Sequence, residues 1–293
     1  MDHDEISAWL GVRYGRDDLA VEQIGEGAWS CAYRFALDGV DLVVRVGGSR
    51  SDFEKDRAAA HFAGDDLPVP CVHAVGDLRP GTHFCISDFV PGTPLESVDT
   101  DVWYTVVPHL VDVMEAMRAL RPATVGPPWR SILRRETGEV DDPRIAMWRR
   151  KLADDDRGSE AFIDGTRALQ RIDVGDVPAS LVHADVVNRN VHVHDGRVSG
   201  IFDWGCTMWG DHLYDLACIE FWSPWHPSLD VDALAEEFHR RWARDGVVVE
   251  RFAERRRACL LHVGLEHIVY HAVMADPDAR DAVIERMTTL DLI

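Results

Sequence analysis

Leu181-Val182-His183-Ala184-Asp185-Val186-Val187-Asn188-Arg189-Asn190 is followed, after a short alternating stretch, by Ile201-Phe202-Asp203-Trp204. The skeleton is His-x-Asp, four further residues, Asn, and a second Asp thirteen residues beyond that Asn, at the end of an apolar run. Between them, Val191-His192-Val193 and Val198 to Phe202 flank Asp195-Gly196, a hairpin signal with a turn both residues can adopt. Pairing of the two strands returns the chain and brings positions 190 and 203 together. Transfer of a phosphoryl group needs a carboxylate at the attacking hydroxyl and hard oxygen ligands that hold Mg2+ against phosphates. Asp185 suits the first task. Asn190 supplies a neutral oxygen and Asp203 a charged one for the second. His183 is expected to position the loop.

Upstream, Gly25-Glu26-Gly27-Ala28-Trp29-Ser30 interrupts two β-type runs, Val21 to Ile24 and Cys31 to Leu37. Glycines there allow a backbone to approach phosphates closely. The stretch is not a Walker A loop, since no G-x4-G-K-[S/T] occurs. Asp38-Gly39 leads into Asp41 to Val46, Phe53 to Phe62 has helical character, and Cys71 to Val75 and Phe84 to Phe89 complete a strand-strand-strand-helix-strand-strand order. After Pro91-Gly92-Thr93-Pro94 the pattern becomes helical. Val107, Leu110, Val111, Met114 and Met117 mark a helix over 106–120. Arg121 to Arg130 is a Pro/Gly-rich loop, and helices are expected at 143–153, 159–172, 213–221, 231–245 and 250–274. The expected fold class is therefore α+β: a small β-rich lobe over residues 1–90 and a larger, mainly helical lobe over 91–293.

Arg45, in Leu42-Val43-Val44-Arg45-Val46, stands where kinase-like folds place a phosphate-holding lysine. A guanidinium keeps the charge with a different, forked geometry. Its acidic partner is either Glu54 or Asp56.

The 293 residues carry a net charge of −20, which excludes nucleic-acid backbones and anionic membranes as main partners and permits a cationic ligand. The apolar share, 46%, supports a real core. Six cysteines without a C-x-x-C pair predict reduced, mostly buried thiols and a cytoplasmic location. The acidic start lacks the features of a signal peptide, and no apolar run approaches the length of a membrane helix. His192 and His194 share a strand face without a third ligand, and Glu266, His267 and His271 do not form H-E-x-x-H. The absence of H-R-D, D-F-G and A-P-E argues against a protein substrate, and no G-x-S-x-G points to a hydrolase.

These stretches together resemble the aminoglycoside phosphotransferase family, and within it the branch that phosphorylates hygromycin B. The resemblance rests on Gly25 to Phe35, Val44 to Val46, Lys55 to Arg57, Leu67 to Pro70, Cys85 to Ser87, Leu181 to Val191, Ile201 to Trp204, Gly210-Asp211, Phe221 to Trp225 and Gly264 to Glu266, spread over residues 20–275. It implies a bilobal protein-kinase-like fold and phosphorylation of an aminoglycoside hydroxyl by ATP (or GTP) with Mg2+. By this resemblance Asp185 is the catalytic acid-base residue, and Asn190 and Asp203 are the metal ligands. Gly25, Gly27, Ser30, Arg45 and Asp56 serve the nucleotide phosphates. Ser87 to Phe89 form the hinge that holds adenine, and Asp215 braces the catalytic loop. An acceptor pocket of carboxylates and aromatic rings is expected from Glu220, Glu266, Asp211, Trp222, Trp225 and Tyr270. Ala184 stands where the family carries Gly, and Glu220 where the hygromycin B branch carries an apolar residue. A monomer is expected. The competing readings are a kinase for a macrolide, choline or a sugar, and a pseudokinase that binds nucleotide without turnover.

Overall fold

The structure is a computed structural model that describes residues 3–121 and 143–293. The Pro/Gly-rich loop expected at 121–130 lies, beyond Arg121, outside these residues. The chain divides into two compact units. One comprises Met1–Val98 with Asn188–Thr207, the other Asp99–Val187 with Met208–Ile293. The first boundary thus falls at 98/99, where the sequence suggested 90/91, and the hairpin after the His183–Asn190 stretch belongs with the N-terminal unit. The reason is hydrogen bonding. Thr93–Pro94 (β6) pairs antiparallel with Val191–His194 (β8), which pairs with Arg197–Ile201 (β9).

In the first unit, β1 (Val21–Glu26), β2 (Ser30–Leu37), β3 (Val40–Gly47), β4 (Val72–Arg79) and β5 (Thr82–Asp88) form one antiparallel sheet in the order β1-β2-β3-β5-β4. Alternation along β3 buries Leu42, Val44 and Val46 on one face. Tyr33, Phe35, Phe84 and Ile86 join them. The turn residues Asp38 and Gly39, and Asp195 and Gly196 in the second hairpin, all have positive φ, as Asp-Gly turns require. Helix α1 (His3–Tyr14) was not expected. Ile6 and Leu10 are its fully buried residues, and partly buried Trp9 and Tyr14 extend the stripe. The first two join the sheet's core. Helix α2 (Arg50–Ala59) follows β3 and buries Phe53, Asp56 and Ala59.

The second unit is built from α3 (Thr100–Ala119), α4 (Pro143–Ala153), α5 (Asp156–Gln170), α6 (Leu213–Trp222), α7 (Val231–Asp245), α8 (Phe252–Met274) and α9 (Pro277–Thr289). A two-stranded ribbon joins them, β7 (Ser180–Val182) with β10 (Met208–Gly210). Helix α3 starts six residues before the expected position because the Asp99 carboxylate accepts from Val102 N–H and caps it. Helix α8 is buried on most of its circumference, and α5, α6 and α9 all pack on it. A side chain at Gly264 would overlap Met287 Sδ at 2.5 Å, so glycine there lets α9 approach. Helix α9 itself lies beyond the last segment expected to be helical. Of the cysteines, Cys85, Cys218 and Cys259 are buried, Cys31 is half-buried, and Cys71 and Cys206 are exposed, so the expected burial holds for only half of them. Among the described residues, no helix is long and apolar enough to cross a membrane.

Buried His262 on α8 bonds through Nδ1 to the Tyr214 hydroxyl at 2.8 Å. Burial, with a smaller effect from His267, pushes its pKa from 6.5 down to about 3. Protonation is therefore easier in the unfolded chain, and this histidine withdraws stability as pH falls from 6.5 toward 3. At pH 5 the loss amounts to about 2 kcal/mol. Urea unfolding at pH 7.5 and pH 5 should show a smaller acid loss in His262→Asn than in the parent chain, by about that amount. Equal losses in both would remove His262 from the account.

Candidate active site

The first unit places Arg45, Asp56 and Asp203 in one charged cluster. β3 points Arg45 toward α2, where its Nη2 bonds Asp56 Oδ2. Its Nη1 lies 3.3 Å from Asp203 Oδ2. The partner left open by the sequence is therefore Asp56. Glu54 is engaged instead by Arg57 and Arg50. The other Asp56 oxygen accepts from Trp204 N–H at 2.7 Å, so α2 fixes the turn that carries Asp203. Burial lifts the Asp56 pKa to about 6, against the pull of Arg45. Burial also opposes the Arg45 charge, but Asp56 and Asp203 outweigh it and hold the guanidinium above its ordinary value.

Asn190 and Asp203 come to the same end of the β8–β9 hairpin. Val191 pairs with Ile201, and Phe202 N–H donates to Asn190 C=O at 3.0 Å. Asn190 is buried, whereas the Asp203 side chain is 41% exposed. A neutral amide oxygen beside an accessible carboxylate is a hard-oxygen donor set that fits Mg2+. Asp203 has φ 63 and Arg189 φ 62, left-handed values that L side chains adopt at a cost. The Arg189 N–H is held by Glu96 Oε1 at 2.6 Å.

The glycine-containing turn is closed by Gly27 N–H to Ser30 C=O at 2.9 Å. Gly25 follows a register shift in the β1–β2 pairing. A side chain at Gly25 or Gly27 would meet neighbours only at 3.7 Å, so the fold itself does not demand glycine at either place. At Gly47, by contrast, an added Cβ would lie 2.7 Å from Trp29 C=O. In the expected hinge, Ser87 is the penultimate residue of β5 and pairs with Val43. Asp88 N–H donates to Cys71 C=O and Phe89 N–H to Asp41 C=O. Those two donors are already used. The Phe89 ring lies under the Arg34 guanidinium, 4.2 Å away.

In the second unit, Asp185 follows a loop held by one buried carboxylate. Asp215 accepts from His183 N–H at 2.9 Å and from Ala184 N–H at 2.7 Å. Burial nevertheless raises the Asp215 pKa to about 6, against those two bonds. His183 is fully buried, and its Nδ1 accepts from Asp185 N–H at 3.2 Å. Tyr270 on α8 is coupled to Asp185: burial first, then that carboxylate's charge, raises its phenol pKa. Glu266 stands one turn earlier on the same helix. Trp222 contacts Trp225 at 5.1 Å between ring centroids and His267 at 4.6 Å.

Two expected acceptor carboxylates have other tasks. Asp211 is buried, with both oxygens bonded to Arg255 at 2.6 and 2.7 Å and a further bond from Leu213 N–H at the start of α6. Glu220 is buried in a two-point pair with Arg256. Both acids expected in an acceptor pocket are thus engaged by arginines, Asp211 in the interior and Glu220 at the lining of a surface cavity that Arg256 shares. Sequence reading missed Glu96 and Lys55. Lys55 Nζ donates to Gly205 C=O at 2.5 Å and ties α2 to the turn after Asp203. Its signal was rarity, since the chain has two lysines.

A sequence model of the phosphotransferase enzyme family, APH, matches residues 20–259. Hygromycin-B 4-O-kinase of Escherichia coli is 28% identical over 260 residues, covering 84% of this chain and 73% of that protein. The crystal structure of aminoglycoside phosphotransferase APH(4)-Ia aligns with a TM-score of 0.80 at 26% identity, over 98% of each chain. A thermostable mutant of it, in a ternary complex with AMP-PNP and hygromycin B, aligns at 0.79 and 28% over 97% of each. Spectinomycin phosphotransferase, at 15% identity and a TM-score of 0.60, shares the fold.

Ala184 has φ 67, where glycine is free of Cβ strain. Ala184→Gly should raise the unfolding free energy by up to about 1 kcal/mol, where alanine-to-glycine at an ordinary position costs about as much. Urea midpoints decide it, and a loss of that size would show that the loop is not strained there.

A buried carboxylate under the His183-Ala184-Asp185 loop, an Asn–Asp oxygen pair on one hairpin end and an arginine on β3 agree with that sequence match and those structural alignments: the chain has the protein-kinase-like fold and belongs to the phosphotransferase enzyme family.

Proposed function

We infer that the chain transfers the γ-phosphoryl group of ATP to a hydroxyl of an aminoglycoside, with hygromycin B the first acceptor to test. One observation carries the reading: Asp185 sits on a loop whose backbone is fixed by Asp215, and five residues later the chain delivers Asn190 to Asp203. Asp185 orients the acceptor hydroxyl and takes its proton. Asn190 and Asp203 are the residues that would hold Mg2+, which when bound neutralises charge on the transferring phosphates. Arg45 offers a fork to phosphate once Asp203 turns to the metal. Gly25, Gly27 and Ser30 give the phosphates close backbone approach, which accounts for glycine where the fold has room for a side chain. Ser87 to Phe89 supply the hinge. Since the N–H groups of Asp88 and Phe89 are occupied, adenine must rely there on carbonyl groups or on the N–H of a following residue.

Glu266, Tyr270, Trp222 and half-exposed Trp225 form the acceptor side in this reading. Carboxylates answer ammonium groups and aromatic faces answer sugar rings. The internal pairing of Asp211 and Glu220 leaves fewer acids for a polycation, which favours testing less basic acceptors as well. The molecule acts as a cytoplasmic monomer.

A coupled ADP-release assay with Mg-ATP should give turnover with hygromycin B, with kanamycin, spectinomycin, a macrolide and choline as alternatives. Turnover with a macrolide or choline alone would transfer the specificity claim. No turnover with any acceptor would point to the pseudokinase. With the active acceptor, Asp185→Ala should lower kcat by at least about 100-fold while nucleotide still binds. Asp203→Ala should weaken Mg-nucleotide binding itself, as read by calorimetry. Equal, small effects would show that the active site is placed wrongly.

A further inference from the structure

The approach to β4 and the end of β5 bring three unlike metal-binding groups to one place. The ligand atoms of Cys71, His73 and Asp88 all lie within 4.8 Å of one another. None of these side chains takes part in the phosphotransfer described above. Their backbone is fixed on both sides: Asp88 N–H donates to Cys71 C=O at 3.0 Å. Val72 pairs with Ser87 and Ala74 with Ile86, so His73 is the extra residue of a bulge. Bulges re-aim a side chain, and this one brings His73 Nε2 to 2.6 Å from Asp88 Oδ1. The β4 strand lies at the sheet's edge. Cys71 is exposed and the other two side chains are each 44% exposed, so an ion can enter and a water can complete its shell.

We propose that Cys71, His73 and Asp88 form a zinc site, with water as the fourth ligand. A thiolate, an imidazole and one carboxylate in a three-residue set select Zn2+ over Mg2+, which prefers oxygen alone. Tetrahedral Zn2+ with bonds of about 2.0–2.3 Å sets its donors about 3.3–3.6 Å apart. The present N–O separation must open by less than about 1 Å, which side-chain rotation supplies. The ion takes the place of the hydrogen now shared between His73 Nε2 and Asp88, and that hydrogen moves to Nδ1 of the same ring. The Cys71 S–H bond breaks, a Zn–S bond forms, and one proton leaves to solvent per ion bound. The surplus of acidic residues raises the local concentration of divalent cations but does not choose among them.

Co2+ titration of the reduced, full-length chain provides the test, because a cobalt–thiolate bond has a near-ultraviolet charge-transfer band that nitrogen and oxygen ligands lack. The band should appear in the parent chain and in Cys206→Ser, which removes the other exposed thiol. It should vanish in Cys71→Ser. His73→Gln and Asp88→Asn should each weaken affinity by at least about 10-fold. Zn2+ should displace Co2+, excess Mg2+ should not, and Zn2+ should release one proton. No thiolate band in the parent chain, or one that survives Cys71→Ser, would overturn the proposal and leave a surface His–Asp hydrogen bond.

Discussion

Arg45 is shared by two carboxylates, and one end of the first unit depends on that sharing. Asp56 reaches it from α2 and Asp203 from the turn after β9. A sheet, a helix and a hairpin thereby meet on one guanidinium. Asp56 closes the arrangement by accepting the Trp204 N–H. Buried ion pairs add little net stability, because desolvation consumes most of the attraction. Their effect lies in position: removal of one partner leaves the other charged and buried. The forked, planar group matters here, since a lysine offers one point of charge where Arg45 presents Nη1 and Nη2 to different acids.

The same device recurs at the strained backbone of the His183–Asp203 stretch. Three residues of the motif have left-handed φ without being glycine: Ala184, Arg189 and Asp203. Each is held by a carboxylate on a backbone N–H at or beside it, from Asp215, Glu96 and Asp56. Left-handed backbone costs of order 1–3 kcal/mol, and a hydrogen bond to a charged group contributes about 1.5–3 kcal/mol. The two are comparable, so each brace suffices to hold its strained residue and none is in large excess.

The fold was readable where local chemistry is strong. Asp-Gly turns fixed both hairpins, and the alternation in β3 and the stripe in α3 named their buried faces. Helix α1 escaped notice although Ile6, Trp9, Leu10 and Tyr14 stand at helical spacing, because its two ring residues are only partly buried against the sheet. The start of α3 depended on a cap, Asp99, rather than on the apolar stripe. The unit boundary escaped notice for a different reason: β6 holds the later hairpin by a long-range pairing that no local pattern announces. Around the candidate site, the sequence singled out residue types by their chemistry, namely Asp185, Asn190, Asp203 and Arg45. Residues that act through backbone atoms, Glu96 and Lys55, were not singled out, because any acid or lysine at a suitable angle would serve.

Acidic residues were the least readable class, and the reason is general. A carboxylate whose oxygens are all held by internal donors has less to offer a ligand. Sequence displays the acid but not its partner. Asp211 and Glu220 are claimed by Arg255 and Arg256, adjacent residues in the first turns of α8 that diverge to different acids around the helix. The run Arg255-Arg256-Arg257 was the available signal: three cations at the start of an otherwise apolar helix need counter-charges. With Asp211 and Glu220 assigned to that need, net charge overstates the acid left for a cationic ligand.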